Sequence, residues 1–288
     1  MNSRAKAATT PSFFPQGEEI KRAGRIVVSL AAIVAAVVAV ALGAVAFAAS
    51  DKQPAPAGAP ENAPPQYTHF TAVEFERGFL ALAFGSDLRI GARPLGIRRF
   101  DHPIRVHIIG GGSINRSAAM FRVIDDYARQ VPALRLTQTT ATDADIELRL
   151  IDEKDFKSAL QSAFGAKIAR TFVARTDPQC MTSVKSTANG DIVHSVSFII
   201  VDKGDDVFLD CAYHELLHAF GLSNHDQRNP WTTLNQKRMV GYLTVYDRAL
   251  LTILYDEAVR PGMTIRQARA VLPRVIISLG FAAPTRGR

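Results

Sequence analysis

The chain has 288 residues, enough for one or two domains that each bury a substantial core. At 47% hydrophobic and 21% charged it has a globular composition, which excludes a disordered or fibrous protein. Lysine and arginine exceed aspartate and glutamate by 34 − 27 = +7, but the basic residues form no run of five and have no aromatics interleaved, which excludes a nucleic-acid partner.

Residues 1–25 read as a cytoplasmic leader whose Lys21, Arg22 and Arg25 stand directly before an apolar segment. That segment, 26–49, carries no charge, and at about 1.5 Å per residue it extends about 36 Å, enough to cross a bilayer. Positive charge on its N-terminal side predicts that everything after Ser50 is exported. Ala46-Phe47-Ala48 also offers a small-x-small cleavage site, so a removed signal segment competes with a retained anchor. The expected location is therefore the inner membrane with the domain facing the periplasm, or the exterior. Residues 50–66 are rich in Pro and Ala and read as a solvated linker. The folded domain is expected over 67–288.

Within it, residues 71–84 show helical apolar spacing, and 103–109 alternate as a strand. Gly110-Gly111-Gly112 turns the chain; the run lacks the Lys-Ser/Thr of a phosphate loop. A helix over 117–131 is stopped by Pro132, strands follow over 134–138 and 145–151, and a short helix over 152–164. Residues 192–201 form a last strand, and a turn at 202–206 leads to Cys211 and a helix bearing two histidines. Further helices are expected over 244–255 and from about 264, after Pro261-Gly262. These elements predict an α+β fold, a small mixed sheet with C-terminal helices. Cys180 and Cys211 both fall on the exported side, where a pair reads as a disulfide rather than as two buried thiols.

The helix reads His214-Glu215-Leu216-Leu217-His218. Histidines four apart lie about 40° apart around a helix axis and one turn apart along it, so both rings reach one point. Neutral imidazole suits tetrahedral zinc. Glu215 leaves the helix about 100° from His214 and can stand beside the metal without binding it. There it would take a proton from zinc-activated water and later return one to a leaving amine. Gly221, three residues after His218, sits where a helix end needs a left-handed residue.

The stretch from His214 through Gly221 to His225 resembles the metzincin metallopeptidases, which implies a zincin-like fold and peptide-bond hydrolysis. The family's third ligand follows its glycine by three residues, a position held here by Asn224, a poor zinc ligand. His225 is one residue later and is assigned the third-ligand role, with Asp226 left open as the alternative. The family's methionine beneath the metal has Met239 as its candidate. The chain is also similar, over about 67–275, to a bacterial exported family of unknown function with a degenerate zincin motif. The residues that carry this likeness include 79–86, Cys211, 221–224, 243–256 and 260–263; this chain retains both helix histidines.

The functional expectation is thus a zinc-dependent metallopeptidase, exported or membrane-anchored. Its catalytic residue is Glu215, its zinc ligands are His214, His218 and His225, and its substrate is a peptide or protein. The alternative, motivated by the irregular spacing of His225, is a non-catalytic zincin-fold envelope domain that binds another protein.

Overall fold

In the computed structural model, residues 70–84, 96–167, 169–170 and 179–280 are described. The leader, apolar segment and linker expected over 1–66 lie outside them. No helix among the described residues is long and apolar enough to cross a membrane.

Helix α1, Ala72–Phe84, begins with a reciprocal cap. The Glu74 carboxylate accepts from the Thr71 amide at 2.8 Å, and the Thr71 hydroxyl accepts from the Glu74 amide at 3.2 Å. Phe75, Phe79 and Leu82 recur at helical spacing and are wholly buried, each contributing roughly 1.5–3 kcal/mol of apolar burial. Strand β1, Ile104–Gly110, leads into α2, Ser117–Gln130, which ends before Pro132. Leu134 belongs to a short 3-10 turn, so β2 is only Leu136–Gln138. Then come β3, Ile146–Ile151, and α3, Glu153–Phe164. Strands β4, Cys180–Ser186, and β5, Ile192–Ile200, lead to α4, Asp205–Ala219, the histidine-bearing helix. The C-terminal helices are α5, Val245–Leu254, and α6, Ile265–Ser278, capped by Thr244 and Thr264.

The fold is α+β, with five strands in the order β2-β1-β3-β5-β4. β2, β1, β3 and β5 run parallel; β4 is antiparallel to β5 at the edge. Parallel pairing arises because α2 carries the chain back between β1 and β2, and α3 does so after β3. The step from β2 to β3 needs no such return. Val106 pairs with both Gln138 and Ile146, so β3 starts at the level where β2 ends.

Alternation along β5 divides the interior. Phe198 and Ile200 face α3 with Phe156 and Leu160, whereas Ile199 and the following Val201 face the larger core with α1, α2, α4, α5 and α6. Edge strand β4 is not expected from the sequence, because Cys-Met-Thr-Ser-Val-Lys-Ser has little apolar alternation. Its Cys180 is bonded to Cys211 of α4 with Cα atoms 5.8 Å apart, so the expected disulfide is present and ties the sheet edge to the histidine helix. The turn expected over 202–206 is shorter: α4 already starts at Asp205, whose charge and that of Asp206 complement the helix N-terminus.

Candidate metal centre

Helical periodicity puts His214 and His218 on one face of α4, as the sequence requires. What the local sequence does not require is how the helix ends. Gly221 has φ +118°, and a Cβ there would lie 2.1 Å from the Arg98 carbonyl oxygen, so this position takes glycine alone. The turn it makes lets the Gly221 amide bond to His218 O and the Leu222 amide to Leu217 O. The Leu222 carbonyl is thereby aimed back at His218, whose Nδ1 donates to it at 2.6 Å.

The following residues are laid against the end of α1. The amides of Ser223 and Asn224 both donate to Leu82 O, and Asn224 Nδ2 donates to Ala81 O at 3.0 Å. The residue in the expected ligand position is thus an anchor, and His225 emerges from it toward α4. Its Nε2 lies 2.9 Å from His214 Nε2 and 3.2 Å from His218 Nε2, and the two helix nitrogens are 3.1 Å apart. Among the described residues, these three histidines form a group that could hold a metal ion. Asp226 is not in it: its carboxylate accepts from the Arg228 amide and side chain.

The hydrogen bonds behind the rings bear on whether a cation fits. A carbonyl oxygen only accepts, so His214, whose Nδ1 lies 3.0 Å from Thr233 O, and His218 must both carry their proton on Nδ1. Their Nε2 atoms are then bare lone pairs pointing at one another. That contact is repulsive unless a cation lies between. Ligand atoms around tetrahedral zinc with bonds of about 2.0–2.1 Å are separated by about 3.3 Å, close to the triangle seen here. Burial and the neighbouring His225 push the His214 pKa down to about 3 and that of His218 well below its usual value, so both rings are neutral and fit to ligate.

Glu215 is 3% exposed, and its Oε2 has no hydrogen-bond partner among the described residues. Burial pushes its pKa up to about 8, Asp210 adds to the rise, and hydrogen bonding from Thr182 offsets part of it. The Thr182 hydroxyl lies 3.1 Å from the Glu215 main-chain oxygen and 2.6 Å from Ser197 Oγ, so β4, β5 and α4 meet behind this carboxyl. An orphaned buried carboxylate oxygen one residue from a metal-competent ring makes Glu215 a candidate functional group.

Other candidates fall elsewhere. Met239 is 64% exposed, so it lies neither beneath the histidines nor in the core; the loop that carries it is held by its backbone, through the Val240 amide and Asp210. Tyr246 is committed to α1: its ring stacks on Phe75 at 5.2 Å, its hydroxyl donates to Glu74 O at 3.2 Å, and Gly78 leaves room for it. Tyr242 is buried beside Thr233, whose hydroxyl donates to its carbonyl. His102, His107 and His194 do not join the cluster; His69 lies outside the described residues. Sequence reasoning misses Thr182, on the unexpected β4, and the Thr233 carbonyl, since no motif marks a backbone oxygen.

A family model described as a protein of unknown function, DUF2927, matches residues 72–274. The match covers every described element but the last residues of α6, and the chain belongs to that family. No curated protein and no solved structure matches the chain.

Proposed function

We propose that this member of the DUF2927 family is an exported or membrane-anchored zinc-dependent metallopeptidase with a zincin-like fold, which hydrolyses peptide bonds in a peptide or protein substrate. The observation that carries the reading is the convergence of three imidazole Nε2 atoms within 3.2 Å of one another, two of them stripped of protons by backbone carbonyls, with the unpartnered Glu215 carboxyl on the same helix.

His214, His218 and His225 would hold the ion through Nε2, leaving a coordination position open, as catalytic rather than structural zinc requires. Zinc bound there would acidify a water molecule and polarise a carbonyl. Glu215 supplies the proton traffic: its carboxylate takes a proton and passes it to the leaving amine. It does so from the ionised form, which a nearby dication favours over the neutral form that burial alone imposes. Burial of Glu215 shields that carboxylate from solvent, which supports its basicity. The Cys180–Cys211 disulfide supports an oxidising compartment, in keeping with export through the apolar segment of residues 26–49.

Elemental analysis of the full-length chain tests the metal. One zinc per chain is expected for the wild type and none for His218→Ala; no zinc in the wild type would end the reading. Hydrolysis is tested separately, with Glu215→Gln expected to lower turnover of a responsive peptide by roughly 10²–10⁴-fold while zinc stays bound. The non-catalytic alternative was motivated by the spacing of His225, and with its ring among the other two that spacing no longer argues for it.

A further inference from the structure

Asp247 takes no part in the chemistry above, yet it is wholly buried, and among the described residues no cation pairs with it. It stands in the first turn of α5, far in sequence from the histidine helix. We propose that Asp247 is a positioning residue that sets two of the three metal ligands, His214 and His225, through the segment 232–234; the proposal rests on the zinc-site reading.

The chain of contacts is continuous. Asp247 Oδ2 accepts from the Thr233 amide at 2.7 Å and from the Thr244 hydroxyl at 2.9 Å, while Oδ1 accepts from the Thr232 hydroxyl at 2.5 Å. The Thr232 oxygen in turn accepts from the Leu234 amide at 3.1 Å. One carboxylate therefore fixes three successive residues. The opposite edge of the same segment faces the ligands. The Thr233 carbonyl accepts from His214 Nδ1 at 3.0 Å, and the Leu234 carbonyl accepts at 3.1 Å from the amide of Asp226, the residue after His225. Holding 232–234 thus orients one ring directly and fixes the end of the loop segment from which another projects.

The residue type follows from the donors. Two hydroxyls and a backbone N–H converge on the side chain, and only a carboxylate presents two oxygens that accept without offering a hydrogen. A buried charge is costly and is retained where its hydrogen bonds do something a neutral cap would not. Here they absorb the extra residue of spacing: α5 pulls the 226–234 loop into place, so that a histidine displaced by one position still reaches the other two.

The test uses the full-length chain as wild type, Asp247→Asn, Asp247→Ala and Thr232→Val, with Leu160→Ala as a control in the separate cluster beneath α3. Zinc affinity is measured by chelator competition below the unfolding temperature, and the cobalt-loaded proteins are compared by visible absorption. Losing an outer partner of a metal ligand costs roughly 10–100-fold in affinity. Asp247→Ala is expected in that range and Asp247→Asn near its lower end, each with altered cobalt bands. Leu160→Ala should lower Tm and leave affinity within about twofold, because Leu160 packs in the separate cluster, away from the outer partners whose loss carries that 10–100-fold cost. Nitrogen-15 spectra of metal-free, histidine-labelled protein add a readout that needs no metal: a single Nδ1–H tautomer of His214 in the wild type, mixed in Asp247→Asn. If the wild type binds no zinc, the zinc reading fails, and the tautomer spectra still decide the positioning role. If Asp247→Ala does not fold, Asp247→Asn and Thr232→Val decide it. Variants that fold, lose Tm, and keep wild-type affinity, cobalt bands and tautomer would overturn the proposal.

Discussion

The two halves of the candidate site are built in opposite ways. Helix α4 presents His214, Glu215 and His218 by its own periodicity, a property of fifteen consecutive residues. The loop from Gly221 to Asn235 presents His225 only because other parts of the molecule hold it. Leu82 and Ala81 of α1 fix its start, and Asp247 of α5 fixes its end. A helix carries its geometry wherever it packs, whereas a loop has the geometry of its anchors. The three-histidine cluster needs both, and the two should fail differently.

The sharpest way to break the contrast is to remove one ligand from each half. His218→Ala and His225→Ala are both expected to weaken zinc by on the order of 1,000-fold or more, beyond the roughly 10–100-fold that an outer partner costs. If His225→Ala kept affinity within tenfold, the helix alone would be the site. Next comes the staple between helix and sheet. Opening Cys180–Cys211, separated by 31 residues, with Cys180→Ser is expected to remove about 3–4 kcal/mol of stability, read as a lower Tm and denaturant midpoint. Gly221→Ala attacks the junction of the two halves. A left-handed φ costs a non-glycine residue about 1–3 kcal/mol, the contact with the Arg98 oxygen adds to it, and zinc affinity should fall along with Tm.

A pH titration separates the helix from its surroundings in metal-free protein. His214, lowered to about 3, and His218 bind protons less readily folded than unfolded, so their burial costs stability as pH falls below 6.5. Glu215 does the reverse: its pKa rises from 4.5 to about 8, so stability is lost as pH rises through that window. Between 4.5 and 6.5 two histidines outweigh one carboxyl, and the site's contribution should peak near pH 6.5. Glu215→Gln should remove the alkaline decline in Tm and keep the acid one. A wild-type Tm that climbs steadily from pH 6.5 to 8 would contradict this assignment. The mildest change is Asn224→Ala, which removes one bond from the loop to α1 and is expected to cost about 1 kcal/mol, with less than a tenfold drop in zinc affinity.

Much of the fold was legible because most elements advertise a period. The apolar spacing of α1, the alternation of β1 and β3, and the helix starts near residues 71, 244 and 264 sit where the sequence places them. β4 was not legible: at a sheet edge, one long side meets no neighbour, and Thr182, Ser183 and Lys185 need no apolar pattern there. Met239 misled in the other direction. Its distance from His225 matched a pattern, but the segment around it is governed by the contact between Val240 and Asp210, which leaves the side chain in solvent.

By itself the sequence determined the α+β class, the pair of cysteines, the helix with its two histidines and the glutamate between them, and the glycine that ends it. All of these depend on residues within a few turns of one another, or on the chemistry of a single residue type. Only tertiary structure brought His225, and not Asp226, to the two helix histidines, made Asn224 an anchor on α1, and drew Asp247 to within one hydrogen bond of the segment whose carbonyl meets His214. The physical reason is reach. Helical periodicity is enforced by bonds between residues four apart, but the path of a loop is set by buried donors and acceptors contributed from α1 and α5, and no local pattern records which distant carbonyl or carboxylate will be waiting for them.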